Sequence, residues 1–377
     1  MSDKPKGTRI RVGLLFGGRS GEHEVSLTSA ASVLQALDPS KYEVVPIGIT
    51  REGRWLIGTA TDRLLPQVLD TGQPVTPSLD PSTDGPQLVA LGSGRGSAEP
   101  TGKLDVIFPV LHGTFGEDGT VQGLLELSGI PYVGAGVLAS AVGMDKDIMK
   151  RLFRDAGLPV VDWVIVRRGE WQHSRSEVLR LIRKKLRFPL FVKPVNLGSS
   201  VGISKVHNER ELPAALDLAA SFDRKILVEK GVDAREIECS VLGNDRPEAS
   251  VPGEVIPINE FYDYEAKYLK EGSRLIIPAP LGKRETKRVR EFAVRAFQAI
   301  DGAGMGRVDF LLDRRTRKIF VNEINTIPGF TPISMYPKLW EATGLAHPKL
   351  LDRLIELALE RSREKAGTRF DYRPPSS

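Results

Sequence analysis

Along the first half of the chain, apolar positions fall in short unbroken runs, separated by stretches with helical spacing. "RIRVGLLF" (9–16) reads as a buried strand and "EVSLTSAASVLQAL" (24–37) as an amphipathic helix, while "YEVVPIGIT" (42–50) and "KLDVIFPVL" (103–111) read as further strands. This alternation implies a parallel sheet, with ligands gathering at the carboxyl ends of its strands. Residues 59–103 are rich in Gly, Pro, Ser and Thr and read as a mobile surface insert.

The pattern then changes. "GAGVLASAVGMDKDIMKRLFRDAG" (134–157) reads as one helix closed by Gly157. Strands follow at "DWVIV", "FPLFVKP", "KILVEK" and "EIECSVLG", with helices near 174–186 and 209–221. The polar and aromatic stretch 254–273, "EVIPINEFYDYEAKYLKEGS", is too long for a hairpin turn and is a candidate active-site loop. "PKLLDRLIELALERSREK" is an apolar-faced helix expected to dock on the core, ahead of a Pro-rich tail. Boundaries near Ala141 and Gly231 divide the chain into 1–141, 142–231 and 232–377.

A length of 377 residues exceeds one ordinary core and agrees with two or three domains. The start, "MSDKPKGTRIRVGLLFGG", suits a first strand better than a signal peptide, and no run of 18 apolar residues occurs, so the cytoplasm is the expected compartment and no membrane partner is expected. A single cysteine, Cys239, excludes an intrachain disulfide framework, and five scattered histidines argue against zinc. The net charge of +5 is spread out, and basic runs such as "RRTRK" and "RLIRKKLR" lack interleaved aromatics. They read as solvated surface, without a nucleic-acid partner.

Candidate chemistry begins at "KIFVNEINTIPGF", where Glu323 and Asn325 alternate onto one strand face. The preceding strand, "GMGRVDFLLD", places Arg307 and Asp309 on a common face. A hairpin loop with an odd residue count would add Val321, Glu323 and Asn325 to it. Two carboxylates and an amide oxygen would then suit hard Mg²⁺ or Mn²⁺, whereas an even loop leaves a surface hairpin whose acids pair with its arginines. Lys193 ends an apolar strand before the donor-rich loop "NLGSSVGIS", which can fold over a phosphate or form a plain turn; no Walker loop is present. "LLFGGRSGEHEVS" runs from a strand through glycines into a helix. Its glycines do not follow the dinucleotide spacing, yet the helix start suits an anion and Glu22 an ammonium. "LHGTFGEDGTVQG" brings His112 and Glu117 to the same edge, and "LVEKGVDAREIE" sets Glu229, Lys230 and Glu236 near a strand end, where a base or ribose could be read.

Taken together, "GGRSGEHEVS", "HGTFGEDGT", "MDKDIMK", "KPVNLGSSVGISKV", "EFYDYEAKY", "GRVDF" and "EINTIPGFTPISMYP" resemble, in order, the motifs of the D-alanine–D-alanine ligases of the ATP-grasp superfamily. The resemblance runs from about Arg9 to Leu359. Two departures stand out: the motif-poor insert, and Gly231 where some members carry an aromatic beside adenine. The resemblance implies an α/β and α+β architecture, with a doubly wound N-terminal domain followed by a two-lobed ATP-grasp fold. It implies ATP-dependent joining of two D-alanines through an acyl phosphate, for peptidoglycan precursor synthesis. Lys146, Lys193, Ser200 and Lys267 would contact the ATP phosphates, Glu229, Lys230 and Glu236 would read adenine and ribose, and Phe261 and Asn322 would lie near the base.

By the same resemblance Asp309, Glu323 and Asn325 would hold two magnesium or manganese ions, and Arg307 with the Gly329 N–H would form an oxyanion hole. Ser334 and Met335 would receive the second substrate's carboxylate, and His112 and Glu117 would line the substrate pocket. Glu22 would hold the first ammonium and, with Ser199 and Tyr268, orient the second substrate. A homodimer is implied as well. Two alternatives stay open: a ligase for D-lactate or D-serine, against which Tyr268 matches the dipeptide-forming type, and a catalytically silent nucleotide-binding module.

Overall fold

The computed structural model describes residues 9–58, 65–80, 87–91, 98–199, 201–256 and 274–369. Three sheets organise them. The first has seven strands: β1 (Ile10–Gly17), β2 (Tyr42–Ile49), β3 (Trp55–Ile57), β4 (Gln73–Pro77), β5 (Gln87–Leu91), β6 (Ala98–Lys103) and β7 (Val106–Pro109), in the order β6-β5-β4-β3-β2-β1-β7. Only β2, β1 and β7 run parallel. Strand alternation sends Val12, Leu14 and Phe16 against helix α1 (His23–Ala36), while Leu15 points to the opposite core, shared with Val121 and Leu125 of α3 (Thr120–Leu127).

The insert departs from its expectation. Its described residues form helix α2 (Leu65–Thr71) and the antiparallel strands β4, β5 and β6, which extend the sheet outward. Leu65, Val68, Val75 and Leu88 are buried, and their burial holds these strands in place despite the many turn-forming residues around them.

The stretch expected as one helix is two, α4 (Val137–Met144) and α5 (Lys146–Asp155). Asp145 separates them. Its backbone is extended, and its side chain accepts hydrogen bonds from the N–H groups of Asp147 and Ile148, a helix N-cap that starts α5 at Lys146. The same carboxylate accepts two 2.9 Å bonds from Lys225, so the cap also ties α5 to the next sheet.

That second sheet contains β8 (Trp163–Arg167), β9 (Leu190–Pro194), β10 (Ser204–Val206) and β11 (Lys225–Lys230), all antiparallel, in the order β10-β9-β11-β8. Helices α6 (Arg168–His173), α7 (Arg175–Lys185) and α8 (Leu212–Phe222) accompany it, and Val178, Ile182, Leu212 and Leu216 join Leu190, Val192, Ile226 and Val228 in one core. Phe191, Lys193, Leu227 and Glu229 therefore belong to the other face.

The third sheet is built from β12 (Ala234–Gly243), β13 (Glu248–Ala249), β14 (Gly253–Ile256), β15 (Arg274–Ile276), β16 (Gly304–Asp313) and β17 (Ile319–Asn325), with β12 and β16 paired along their whole length. Its core combines Ile237, Val308, Phe310 and Val321 with α9 (Lys283–Ala299) and with Val142, Met149 and Phe153 from α4 and α5. After β17, α10 (Met335–Thr343) and α11 (His347–Ala366) follow, and α11 packs against the first sheet as expected for a docking helix.

Asp145→Ala removes both the cap and the Lys225 partner, and is expected to destabilise the protein by about 1–2 kcal/mol. Asp145→Asn keeps the capping oxygen and is expected to lose less. Urea denaturation of the two variants beside the parent measures the difference.

Candidate active site

The register of the β16–β17 hairpin brings the candidate side chains onto one face. Arg307 pairs with Asn325 and Asp309 with Glu323, so all four share a face. Val321 does not join them: a bulge after Asp309 pairs Phe310 with Val321 instead, and both are buried in the third core. The extra residue is Asn322, which leaves Asn322 and Glu323 adjacent and both partly exposed between buried Val321 and Ile324. Simple alternation could not show this. On the other side β12 pairs Glu238 with Asp309, so three carboxylates stand in a row across three strands.

Cations answer that row. Arg307 donates from Nε and a terminal nitrogen to the two Asp309 oxygens at 2.7 Å each, and its Nε lies 2.9 Å from Glu238. Burial alone would lower the Arg307 pKa, but Asp309 and Glu238 raise it well above its ordinary value. Asn325 donates to Asp309 at 3.1 Å. Lys146 Nζ lies 3.9 Å from Glu323 and donates to the Leu197 carbonyl at 2.7 Å.

The second sheet faces these acids with lysines. Lys193 on β9 and Glu229 on β11 are diagonal neighbours and form an ion pair, and Lys150 Nζ lies 2.9 Å from the second Glu229 oxygen. Burial would raise the Glu229 pKa; Lys150 and Lys193 instead hold it down at about 2. Lys193 would be pushed down by burial, yet Glu229 and Glu323 raise it, so it is charged at neutral pH. Glu236 projects from β12 partly exposed, and Lys230 is exposed at the end of β11. Gly231 has a steric reason: its N–H donates to the Pro189 carbonyl, and a Cβ would stand 2.9 Å from that oxygen.

The loop after Lys193 is pinned at its root by Asp223, which accepts from the N–H groups of Val195 and Asn196. Farther along, the Ser199 hydroxyl donates to Glu22, and Ser199 itself takes a left-handed φ of 50°. This contact joins the first sheet's edge to the second lobe. Ser200, Phe261, Lys267 and Tyr268 lie outside the described residues.

A third set of contacts docks the loop after β17 onto the N-terminal sheet. His112 is buried with both ring nitrogens engaged, Nδ1 with the Ile327 carbonyl at 3.1 Å and Nε2 with Ser29 Oγ at 3.2 Å. Burial lowers its pKa, so the ring is neutral: Nδ1–H donates to Ile327, and Nε2 accepts from Ser29. The Ser29 oxygen in turn accepts from the Phe330 N–H, and the Phe330 ring packs edge-on against Phe108 at 5.8 Å. Glu117 accepts from the N–H of Gly113 at 2.7 Å and from that of Ile327. Desolvation and the nearby Glu22 push it up to about 8, so Glu117 carries a proton at neutral pH.

Gly329 lies inside this clamped loop. A Cβ there would meet Ser334 Oγ at 2.7 Å, and Ser334 is held by Thr331, so bare backbone is required. Ser334 caps α10. The Met335 side chain is buried with Val255 and Leu339, which leaves only its main chain for any ligand.

Lys150, Glu238 and Ser29 were not singled out from the sequence. Lys150 lies one helical turn beyond Lys146 in "MDKDIMK", and Glu238 two strand positions beyond Glu236. Those spacings were the available signals. Ser29 offered none, because its partners are distant in the chain.

Lysines on and beside the second sheet face acids on the third, and the fold is that of the ATP-grasp class of ligases. A family model for the D-ala D-ala ligase N-terminus matches residues 11–135, and one for the C-terminus matches 152–356. A D-alanine–D-alanine ligase of Heliobacterium modesticaldum is 53% identical over 355 residues, covering 94% of this chain and 96% of that protein. Among solved structures, the D-alanine–D-alanine ligase of Coxiella burnetii is 39% identical with a TM-score of 0.80, covering 95% of this chain and 96% of its own. The VanG D-Ala:D-Ser ligase of Enterococcus faecalis is 37% identical with a TM-score of 0.82, covering 93% and 100%. The chain belongs to the D-alanine–D-alanine ligase family.

The Glu117 site predicts a pH dependence. Its folded pKa of about 8 lies above the ordinary carboxylate value of 4.5, so its contribution to stability is full below 4.5 and falls as pH rises towards 8. Thermal unfolding of Glu117→Gln from pH 5 to 9 is expected to show a shallower decline than the parent over that window. Parallel curves would place the titration elsewhere.

Proposed function

We propose a route by which this chain, an ADP-forming ligase, joins two D-alanine molecules at the expense of ATP. Family membership over nearly the whole chain supports the reaction, and the register that sets Arg307 and Asp309 against Asn325 and Glu323 supports the site.

A carboxylate is a poor electrophile, so the first D-alanine's carboxylate oxygen attacks the γ-phosphorus of ATP and ADP leaves, giving an acyl phosphate. Lys146 and Lys193 offset the repulsion between the two anions, with Ser200 and Lys267 as further phosphate contacts. Glu229, Lys230 and Glu236 read adenine and ribose, with Phe261 and Asn322 beside the base. Glu22 holds the first ammonium, and His112 and Glu117 fix the pocket wall behind it.

The neutral amine of the second D-alanine then attacks the acyl carbonyl. Arg307 and the Gly329 N–H receive the oxyanion, the C–O bond breaks as inorganic phosphate leaves, and the proton lost by the amine passes to that phosphate. Ser334 and the main chain at Met335 take the second carboxylate at the start of α10. Tyr268, with Ser199 and Glu22, orients the amine and excludes water that would hydrolyse the acyl phosphate.

Asp309, Glu323 and Asn325 fit a hard divalent cation, since all three present oxygen and share one strand face. Among the described residues no group of three Asp, Glu, His or Cys side chains is placed to hold a metal; the proposed set joins two carboxylates to the amide of Asn325. Two magnesium or manganese ions held there would supply charge neutralisation at the phosphates. A homodimer and a cytoplasmic location belong to the same proposal; among the described residues no helix is long and apolar enough to cross a membrane.

ADP release measured with D-alanine, L-alanine, D-serine and D-lactate tests the reading, and D-alanine alone is expected to support full turnover. Glu323→Gln is expected to lower that turnover by about 100-fold or more, an effect of roughly 3 kcal/mol, while its thermal midpoint stays near the parent's. Near-normal activity at limiting Mg²⁺ would remove Glu323 from the metal set.

Tyr268→Phe deletes one hydroxyl, worth about 0.5–1.5 kcal/mol as a net hydrogen bond. D-lactate has no proton to lose before it binds, so the variant is expected to form D-alanyl-D-lactate near pH 6, where the parent forms almost none. Product mass spectrometry from equal D-alanine and D-lactate at pH 6 to 9 measures the ratio, and an unchanged ratio assigns specificity to another residue.

A further inference from the structure

Lys150 has no part in the route above, yet its side chain is 2% exposed, which is rare for a lysine. Helix α5 brings it to one Glu229 oxygen while Lys193 holds the other, and its ammonium lies 5.7 Å from the Trp163 ring centroid. Trp163 is the residue directly across from Glu229 on β8, so Lys150, Glu229 and Trp163 form one cluster beside the phosphate lysine, Lys193.

The charges of this cluster and Lys193 do not cancel. Glu229 and Lys193 alone would make a neutral pair, and adding a second buried lysine carries a desolvation penalty without leaving any acid to neutralise. The arrangement has a use if one lysine must stay uncompensated. Lys193 is the more exposed of the two, at 13% against 2%. It also feels Glu323 and Glu236, which further reduce the positive potential it presents.

We infer that Lys150 is a positioning residue for nucleotide binding: it takes up the charge of Glu229, so that Lys193 keeps a net positive charge facing an anionic polyphosphate. The inference rests on reading Lys193 as a phosphate contact. With Lys150, Glu229 and Lys193 counted together, the parent group carries +1. Lys150→Met makes it 0, Glu229→Gln makes it +2, and the double variant returns it to +1.

Inorganic triphosphate is a suitable probe because it has no base or ribose, so any role of Glu229 towards adenine does not enter. Calorimetric titration at low salt is expected to rank affinity as Glu229→Gln above the parent, the parent equal to the double variant within about threefold, and Lys150→Met weaker than the parent by about tenfold or more. Raising the salt is expected to narrow these gaps. A role confined to packing would leave the double variant as weak as Lys150→Met, and that result overturns the inference. So does parent-like affinity in Lys150→Met.

If Lys150→Met does not fold, Glu229→Gln decides: affinity no tighter than the parent's sinks the inference. Lys193→Met separates the two levels. If it leaves triphosphate affinity unchanged, the reading of Lys193 fails. If it abolishes binding while Lys150→Met and Glu229→Gln change nothing, only the role of Lys150 fails.

Discussion

Three carboxylates side by side across adjacent strands repel one another, and the row Glu238, Asp309, Glu323 is such an arrangement. Left alone it would oppose the pairing of β12, β16 and β17. Arg307 bridges the first two acids, and Lys146 approaches the third from the N-terminus of α5. The acidic face therefore needs positive charge to be stable, and helix α5 and the second sheet deliver part of it through Lys146 and Lys193 respectively.

The same logic explains how the lobes stay in register. Lys146 gets its position from the Asp145 cap, and that cap also receives Lys225 from β11. The loop carrying Gly329 is held from the opposite direction: His112 and Glu117 grip the two polar groups of Ile327, Ser29 holds the Phe330 amide, and the Phe330 ring is sunk against Phe108. Each reactive element is thus fixed by a sheet other than the one it extends. Small relative movements of the sheets would change the site geometry directly.

Strands such as β1, β2 and β11 were legible because short unbroken apolar runs mark strands buried on both faces. The acid–amide face of β17 was legible because side chains two apart in a strand share a face. What escaped reading has a physical cause in each case. The bulge at Asn322 inserts one residue into a period-two pattern, so Val321 was assigned to the wrong face. Asp145 stops one helix and starts another through a side-chain cap within an otherwise continuous apolar pattern. Strands β4 to β6 are short and interrupted by turn-forming residues, and they become strands by pairing with each other and with β3. Glu117 read as an ordinary acid, since the burial and the Glu22 charge that keep it protonated come from the folded surroundings.

Helix α11 closes the core that β1 opens. Leu350, Leu351, Leu354 and Ile355 complete the apolar layer containing Val12, Leu14 and Phe16, and Asp352 accepts bonds from Lys41 and from the Tyr42 hydroxyl across 310 positions of chain. During synthesis at about 5–20 residues per second, that layer waits roughly 15 to 60 seconds for its cover. The nascent N-terminal sheet therefore spends the interval with one face incompletely shielded, and that exposure ends only when α11 docks.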